Sequence, residues 1–219
     1  MTLPQPYEKD LVVLVADNNM ESAFKGLLSR CKSLAIRPVK ADILIHRQRD
    51  AACFRQAHEF LRSQSRRYHR ALVVFDREGC GSAEPAADLE VAVQRRLEAA
   101  GWGNRAAAVV IDPELEVWVW STSPHVEAVL GWRGRQPALR TWLTDRGFLR
   151  PGEHEVKPRR PKEALAEALR HVHKIRSSAI YEELASKVSL ESCEDSAFVR
   201  VKTILQEWFA AAPEGPTAG

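Results

Sequence analysis

Two carboxylates one residue apart follow an unbroken apolar run. The run 71–75 leads directly into Asp76, and Glu78 lies one residue beyond, before glycines at 79 and 81. A continuous apolar stretch bounded by turn residues is typical of a strand buried on both faces, as in parallel sheets. Neighbouring carboxylates repel each other unless a cation or a proton lies between them, and Mg²⁺ prefers such oxygen ligands. The pattern predicts Asp76 and Glu78 as ligands of Mg²⁺ or Mn²⁺.

Acidic residues also follow other predicted strands. Asp17 follows the apolar run 11–16, and three acids follow the run 108–111, namely Asp112, Glu114 and Glu116. The carboxyl ends of parallel strands share one edge of a sheet, so these side chains can converge there. A metal ion held by carboxylates polarises a phosphate oxygen and lowers the pKa of a bound water, and a neighbouring carboxylate can act as general base. Phosphodiester hydrolysis is the predicted chemistry. In the alternative interpretation, Asp76 only caps the next helix and Glu78 is a solvated turn residue.

Strand and helix patterns alternate along the first two thirds of the chain. We predict strands at about 11–16, 71–76 and 105–112, and a strand-like segment at 34–46 that is interrupted by Pro38 and is most apolar at 43–45. Helices are expected at about 20–31, 50–67, 84–100, 124–130, 137–148, 179–189 and 196–211, with one more, over about 165–172, after the proline-containing lead at 157–162. This alternation predicts an α/β fold with a mostly parallel, Rossmann-like sheet, helices on both faces and a helical C-terminal part. The break at Gly147, Pro151 and Gly152 suggests an α/β domain over 1–150 and a helical subdomain over 151–219, packed on it.

Two basic segments lie outside the acidic pattern. The stretch after residue 156 contains Lys157, Arg159, Arg160 and Lys162, which we interpret as nucleic-acid contacts. If these residues contact phosphates, the affinity for nucleic acid should fall as the salt concentration rises. In the alternative interpretation they form a solvated basic face with no binding role. The predicted helix at 50–67 also carries arginines on its outer face, and His69 and Arg70 follow it. The sequence assigns no function to this second segment.

Composition restricts the class of protein. The 219 residues are 45% hydrophobic and 28% charged with a net charge of +3, which suits a folded protein and permits a nucleic-acid partner. The nucleic acid that we expect is DNA. The four cysteines lie far apart and form no C-x-x-C pair, so a zinc ribbon is excluded and a reducing, cytoplasmic setting is expected. We expect no membrane association, because no apolar run approaches the length of a membrane span.

The glycines around Cys80 match neither a Walker A nor a dinucleotide motif. The close tryptophans Trp118 and Trp120 are interpreted as core packing.

Three segments resemble a Toprim-type domain of the small defence-associated branch near the OLD-like and RloB-like nucleases. The first is the strand, polar loop and helix at 11–24, and the second is Val73-Val74-Phe75-Asp76-Arg77-Glu78, similar to the D-x-D strand end of the family. The third is the Pro-Glu-Leu-Glu-Val-Trp stretch at 113–118, and segments 157–163 and 193–198 also resemble the C-terminal part of this branch.

The resemblance implies a Mg²⁺-dependent nuclease in prokaryotic antiviral defence, with other defence-system proteins as possible partners. In active members a glutamate at the end of the first strand acts in acid-base catalysis, but this chain has Ala16 there, and Glu78 replaces the second aspartate of D-x-D. Asp17 or Glu21 would take the catalytic role, and Glu116 would be a further acid and metal ligand. The alternative is an inactive nucleic-acid-binding or scaffold subunit of a defence complex.

Overall fold

Four parallel strands form the centre of the fold. The computed structural model describes residues 7–150, 157–191 and 193–211. The strands are β1 (Lys9–Val15), β2 (Ala41–Ile45), β3 (Tyr68–Asp76) and β4 (Ala106–Ile111). They are ordered β2-β1-β3-β4, and each neighbouring pair is parallel. The predicted α/β class is confirmed, and within the described ranges the sheet is parallel throughout.

Helices cover both faces of this sheet. They are α1 (Asn18–Leu28), α2 (Arg49–Arg62), α3 (Ala86–Leu97), α4 (Pro124–Leu130), α5 (Leu139–Asp145), α6 (Pro161–His171), α7 (Ser178–Lys187) and α8 (Ser196–Phe209). The chain moves across the sheet in one direction from β1 to β2, and in the opposite direction from β2 to β3 and on to β4. Because parallel crossovers are right-handed, α1 lies on one face of the sheet and α2 and α3 lie on the other. Helices α2 and α3 pack together, whereas α7 packs on α1 and α8 on β4.

The strands are apolar at successive positions because both of their faces are covered. Residues 11–15 of β1 and 71–75 of β3 are fully buried, as expected for the inner strands of a parallel sheet. Asp17 begins α1 by accepting hydrogen bonds from the backbone N–H groups of Asn19 and Met20 at 2.9 and 3.0 Å. This capping fixes the position of Asp17 just beyond the end of β1.

The C-terminal helices share one apolar core with the sheet. Trp118 packs between Phe24 of α1 and Phe198 of α8, with ring centroids 6.1 and 5.8 Å apart. Helices α1 and α7 approach so closely that a Cβ at Gly26 would lie 2.5 Å from the carbonyl oxygen of Glu182. Residues of the C-terminal helices therefore pack against residues of the sheet and of α1. The predicted boundary falls at 151–156, outside the described residues.

The structure corrects several predicted element bounds. The strand predicted at 34–46 is reduced to β2, because Pro38 lacks an N–H, and only an isolated bridge joins Ile36 to Ala210. The helix predicted at 50–67 ends at Arg62 and continues as a 3₁₀ turn. The segment after Pro113 forms a short 3₁₀ helix, Leu115–Trp118. The core interpretation holds for Trp120, which is buried and donates its indole N–H to the carbonyl of Pro161 at 3.0 Å.

A charged group lies on the outer strand β2. The carboxylate of Asp42 accepts from Lys9 Nζ of β1 at 2.6 Å and also from the hydroxyl of Tyr68 of β3. Burial and the neighbouring Asp42 raise the pKa of Tyr68 to about 12, so the phenol stays protonated and keeps donating. This group links the first residues of three strands.

Candidate acidic site at the carboxyl edge of the sheet

The strand order creates a switch point between β1 and β3. The chain leaves β1 toward β2 on one side and leaves β3 toward β4 on the other. Open parallel sheets bind ligands in the crevice outside the strand ends at such a point. Asp17 follows β1 and Asp76 ends β3, so both carboxylates lie beside this crevice.

Asp76 is the central carboxylate of the site. Its backbone N–H donates to Oδ1 of Asp50 at 2.8 Å, which joins the start of α2 to the end of β3. Its own Oδ1 is shielded from solvent and has no hydrogen-bond partner among the described residues. Burial, followed by the negative charges of Asp50, Glu116 and Asp17, raises the pKa of Asp76 well above its usual range. A proton or a cation is therefore strongly favoured at this carboxyl.

Gly79 is required for the position of Asp50. A Cβ at Gly79 would lie 2.6 Å from Oδ2 and 3.0 Å from Cβ of Asp50, a distance at which one of the two must move. Burial also raises the pKa of Asp50, against the effect of the hydrogen bond from Asp76. The turn after β3 thus holds a second carboxyl against the first.

Two further carboxylates each have a cationic partner. Glu114 accepts from the backbone N–H of Lys162 at 3.0 Å and from its Nζ at 3.1 Å, at the start of α6. Burial raises the pKa of Glu114, although the hydrogen bond from Lys162 acts in the opposite direction. The Nζ of Lys162 is itself partly desolvated, but the bond to Glu114 and the charges of Glu114 and Glu116 outweigh this, and the pKa of Lys162 is raised. Lys162 is charged in this site.

Glu116 has the smallest exposed fraction of the acids that line the two cavities described below. It is 3% exposed and accepts from the guanidinium of Arg176 and from the hydroxyl of Tyr181 at 2.6 Å. Arg176 also donates to this hydroxyl, with Nη2 at 2.6 Å. Burial and the charge of Glu116 raise the pKa of Tyr181, so the phenol remains a donor. Glu116 is thus held by the segment that leads into α7.

Two adjoining cavities open onto these side chains. A cavity of about 430 Å³ is lined by Asp50, Asp76, Glu78, Glu114 and the start of α6, including Arg159, Arg160 and Lys162. A second cavity, of about 350 Å³, is lined by Asp17, Arg49, Asp76, Glu116, Lys162 and Arg176. Asp76 and Lys162 line both, so they stand between the two spaces.

The structure brings together most of the predicted acids. Asp17, Asp76, Glu78 and Glu116 line one or the other cavity. Glu78 is exposed at the rim, and its backbone N–H donates to the carbonyl of Pro113 at 3.1 Å. Glu21 was expected to point toward the strand ends, but it pairs with Lys25 at 3.0 Å on α1 and lines neither cavity. A residue one turn into α1 is directed along the helix rather than toward the strand end.

The predicted nucleic-acid residues fall into two groups. Arg159, Arg160 and Lys162 line the larger cavity, although Arg160 also pairs with Glu163 at 2.6 Å. Lys157 forms an ion pair with the buried carboxylate of Asp195, which caps α8. The charge of Lys157 is therefore used within the fold, and the rim of the cavity carries the remaining basic residues.

Metal coordination is not preformed in the described part of the chain. No group of three or more His, Cys, Asp or Glu side chains is arranged there to hold a metal ion. The donor chemistry of Asp76 and Asp50 nevertheless suits a hard divalent cation, because both are carboxylates and Oδ1 of Asp76 has no partner.

Sequence reasoning missed three members of this site and gave a fourth, Glu114, no role. Asp50, Glu114, Arg176 and Tyr181 were not among the predicted site residues, although Glu114 was noted as a strand-end acid. Asp50 follows β2 by five residues, so the strand-end argument applied to that strand would have found it. Arg176 and Tyr181 approach through the packing of α7 on α1, for which the sequence carries no signal.

Comparisons with known proteins identify no relative of this chain. No family model, curated protein or solved structure matches this sequence. Among the described helices, none combines the length and the apolar character needed to cross a bilayer.

Proposed function

We propose that the carboxyl-edge site binds Mg²⁺ or Mn²⁺ and hydrolyses phosphodiester bonds of a nucleic acid. We expect DNA to be the preferred substrate and RNA the alternative. The observation that carries this proposal is the buried carboxyl of Asp76, surrounded by other acids and with one oxygen unpartnered. Like-charged carboxylates at a strand-end crevice are stable when a cation joins them. The resemblance to defence-associated Toprim nucleases supports the same reaction class and a cytoplasmic role in antiviral defence, with other defence-system proteins as partners.

The side chains divide into three tasks. Asp76 and Asp50 would hold the ion, with Glu78 at the rim, while Glu114 and Glu116 already have Lys162 and Arg176 as counter-charges. When bound, such an ion lowers the pKa of a coordinated water and offsets charge on phosphate oxygens. Asp17 lines the smaller cavity and is the remaining candidate for general base, because Glu21 lies elsewhere.

The basic rim of the larger cavity would orient the substrate. Arg159, Arg160 and Lys162 lie within the cavity that also contains Asp76. Arginine forms two parallel hydrogen bonds to a phosphate, which fixes orientation as well as position. The nucleic-acid backbone would then lie between the start of α6 and the end of β3.

Metal-dependent cleavage of plasmid DNA and of RNA tests this function, with Asp76→Asn as the main variant. We expect cleavage in Mg²⁺ or Mn²⁺ and a loss of at least about 100-fold in the variant, the usual scale for removing a key electrostatic group. Asp112→Asn is the matched control, because Asp112 lies at the same edge but pairs with Arg77 at 2.7 Å. Cleavage that survives Asp76→Asn would remove Asp76 from the site and overturn the assignment.

A second function is favoured by the internal ion pairs. Lys162 and Arg176 already neutralise Glu114 and Glu116, an arrangement that stabilises the site without any metal. The chain would then be a nucleic-acid-binding or scaffold subunit that cleaves nothing. Salt-sensitive DNA binding that is equal in Mg²⁺ and in EDTA, with no cleavage in Mg²⁺ or Mn²⁺, supports this function over the nuclease.

A further inference from the structure

The opposite, amino edge of the sheet carries a separate cluster of arginines and aromatic rings. We call it the amino-edge cluster, and it consists of Tyr7, Arg37, His69, Arg70, Arg105 and Trp208. Arg70 lies six residues before Asp76 in β3, which at about 3.3 Å per residue is a separation of roughly 20 Å. The cluster is thus distinct from the acidic site.

Ring contacts hold the guanidinium groups of this cluster in place. The ring of Tyr7 stacks on His69 at 5.2 Å, and the guanidinium of Arg105 lies 5.0 Å from the Tyr7 ring centroid. Arg70 lies over the ring of Trp208 at 5.4 Å. Such cation–π contacts fix a cation without neutralising its charge. The cluster is therefore a preorganised positive surface.

The charge of the cluster is only partly balanced. Arg37 pairs with Asp10 at 2.7 Å. In the described ranges, no carboxylate lies within ion-pair distance of Arg70 or Arg105. Arg105 instead donates to four backbone carbonyls, including those of Tyr68 and His69 at 3.0 and 3.1 Å. Two arginine charges remain available to an anion.

Arg70 has donor capacity left over. Its Nη1 donates to the carbonyl of Asn104 at 3.1 Å, whereas its Nη2 has no acceptor among the described groups and is not shielded from solvent. The positive potential also acts on His69, whose pKa is lowered first by burial and then by the charges of Arg70 and Arg105. An anion at this position would gain both charge attraction and hydrogen bonds.

We propose that the amino-edge cluster binds the phosphate backbone of a nucleic acid. Phosphate suits planar guanidinium groups, and a chain of phosphates can contact several of them at once. The exposed arginines Arg62 and Arg66 flank the 3₁₀ turn that Arg105 holds through the carbonyl of Ser65 at 3.1 Å. They extend the positive surface along the path of a polyanion. The rings are already stacked on protein groups, so the contact is to the backbone and independent of base sequence.

Fluorescence anisotropy with a labelled oligonucleotide in EDTA tests this surface without any metal. Arg70→Gln should weaken binding about 5- to 10-fold near 0.1 M salt and reduce the slope of log K against log salt by about 1, the value for one lost phosphate contact. Arg146→Gln is the matched control, because it removes the same charge from an exposed pair with Glu167 at 2.9 Å. It should bind as the wild type does. Equal affinity and slope in the Arg70 and Arg146 variants overturns the proposal.

A measurement on the unmodified chain covers the case in which Arg70→Gln does not fold. Phenylglyoxal modifies accessible arginines, and mass spectrometry reads each site. The oligonucleotide should protect Arg37 and Arg70 and leave Arg146 reactive, whereas equal protection at all three, or equal protection by polyglutamate, overturns the assignment. Binding should persist in Asp76→Asn, so failure of the nuclease proposal and failure of this one give different results.

Discussion

Asp76 shows how one residue can set both the chemistry and the pH response of a site. Its folded pKa is raised by burial and by neighbouring acids. Above the ordinary aspartate pKa near 4, the unfolded chain has lost this proton while the folded chain still holds it. Stability contributed by this group is therefore full below pH 4 and is lost as pH rises toward the folded pKa.

Asp76→Asn should remove this loss of stability. Asparagine does not titrate, so the free energy of unfolding of the variant should rise relative to that of the wild type between pH 4 and pH 8. The rise should be about 1.4 kcal/mol for each unit by which the pKa of Asp76 is shifted in the wild type. Urea denaturation across this pH range measures the difference. Asp112→Asn should show no such gain, because Asp112 is half-exposed and paired with Arg77. Wild-type and Asp76→Asn curves that stay parallel in pH would contradict the raised pKa.

Gly79→Ala should displace Asp50 from Asp76. The added Cβ would meet the Asp50 side chain at 2.6 Å, so the hydrogen bond from the Asp76 N–H breaks and about 1–2 kcal/mol of stability is lost. Denaturant unfolding measures this. Asp50→Ala removes the two closest contacts, to Oδ2 and Cγ, and leaves only the Cβ at 3.0 Å, so the double variant should cost less than the sum of the two single ones. Additive losses would mean that the glycine acts independently of Asp50.

The site was only partly predictable from the sequence for a physical reason. Asp17 and Asp76 follow strands whose apolar runs are long enough to recognise, and parallel strands bring such ends together. Glu21 was misplaced because it lies about four residues, roughly 6 Å, along the chain from Asp17, and its carboxylate pairs with Lys25 further along α1. Arg176 reaches Glu116 from 60 residues away in sequence, through helix packing that no local pattern encodes.

At the scale of elements, the contact between α1 and α7 is set by one small residue. Gly26 lies against the backbone of Glu182 and the Cβ of Ala185, so the two helices approach more closely than ordinary side chains permit. Strands β1, β3 and β4 were predictable because each contains a compact apolar run. The close packing of α7 on α1 was not predictable, because nothing in the sequence around Gly26 indicates which helix it contacts.

Gly26→Ala should separate these two helices. Alanine improves helix propensity by about 1 kcal/mol, yet the Cβ would meet a backbone oxygen at 2.5 Å that cannot rotate away. A net destabilisation of about 1–3 kcal/mol is the usual scale of overpacking. Thermal and denaturant unfolding measure it, and Lys25→Ala on the exposed face of α1 should stay within about 0.5 kcal/mol. A stabilised Gly26→Ala protein would show that the helices are free to move apart.

At the scale of the whole molecule, the sheet and the C-terminal helices share one apolar core. The buried residues of α7 and α8 belong to the same core as those of the strands. Sequence composition suggested a boundary near residue 150, because glycine and proline cluster there. The packing of Phe198 on Trp118 crosses that boundary and makes the two parts interdependent.

A fragment containing residues 1–150 alone should therefore lack a cooperative unfolding transition. Without α7 and α8, the apolar faces of α1 and β4 meet water, which removes much of the hydrophobic stabilisation of a marginally stable chain. Circular dichroism and denaturant unfolding measure this. Co-expression with the fragment 157–219 should restore the transition. A fragment 1–150 that unfolds as sharply as the full chain would establish it as an independent domain.

The charged group on β2 has a consequence for encounters between copies of this protein. The outermost strand spans only five residues, and its Asp42 carboxylate is drawn inward by Lys9 and Tyr68. A strand from a second molecule that aligned there would meet a short edge with an inward-drawn ion pair between Asp42 and Lys9, and charged side chains at a strand edge discourage sheets from joining edge to edge. The same three side chains that tie the strands together thus oppose the growth of one sheet across two molecules.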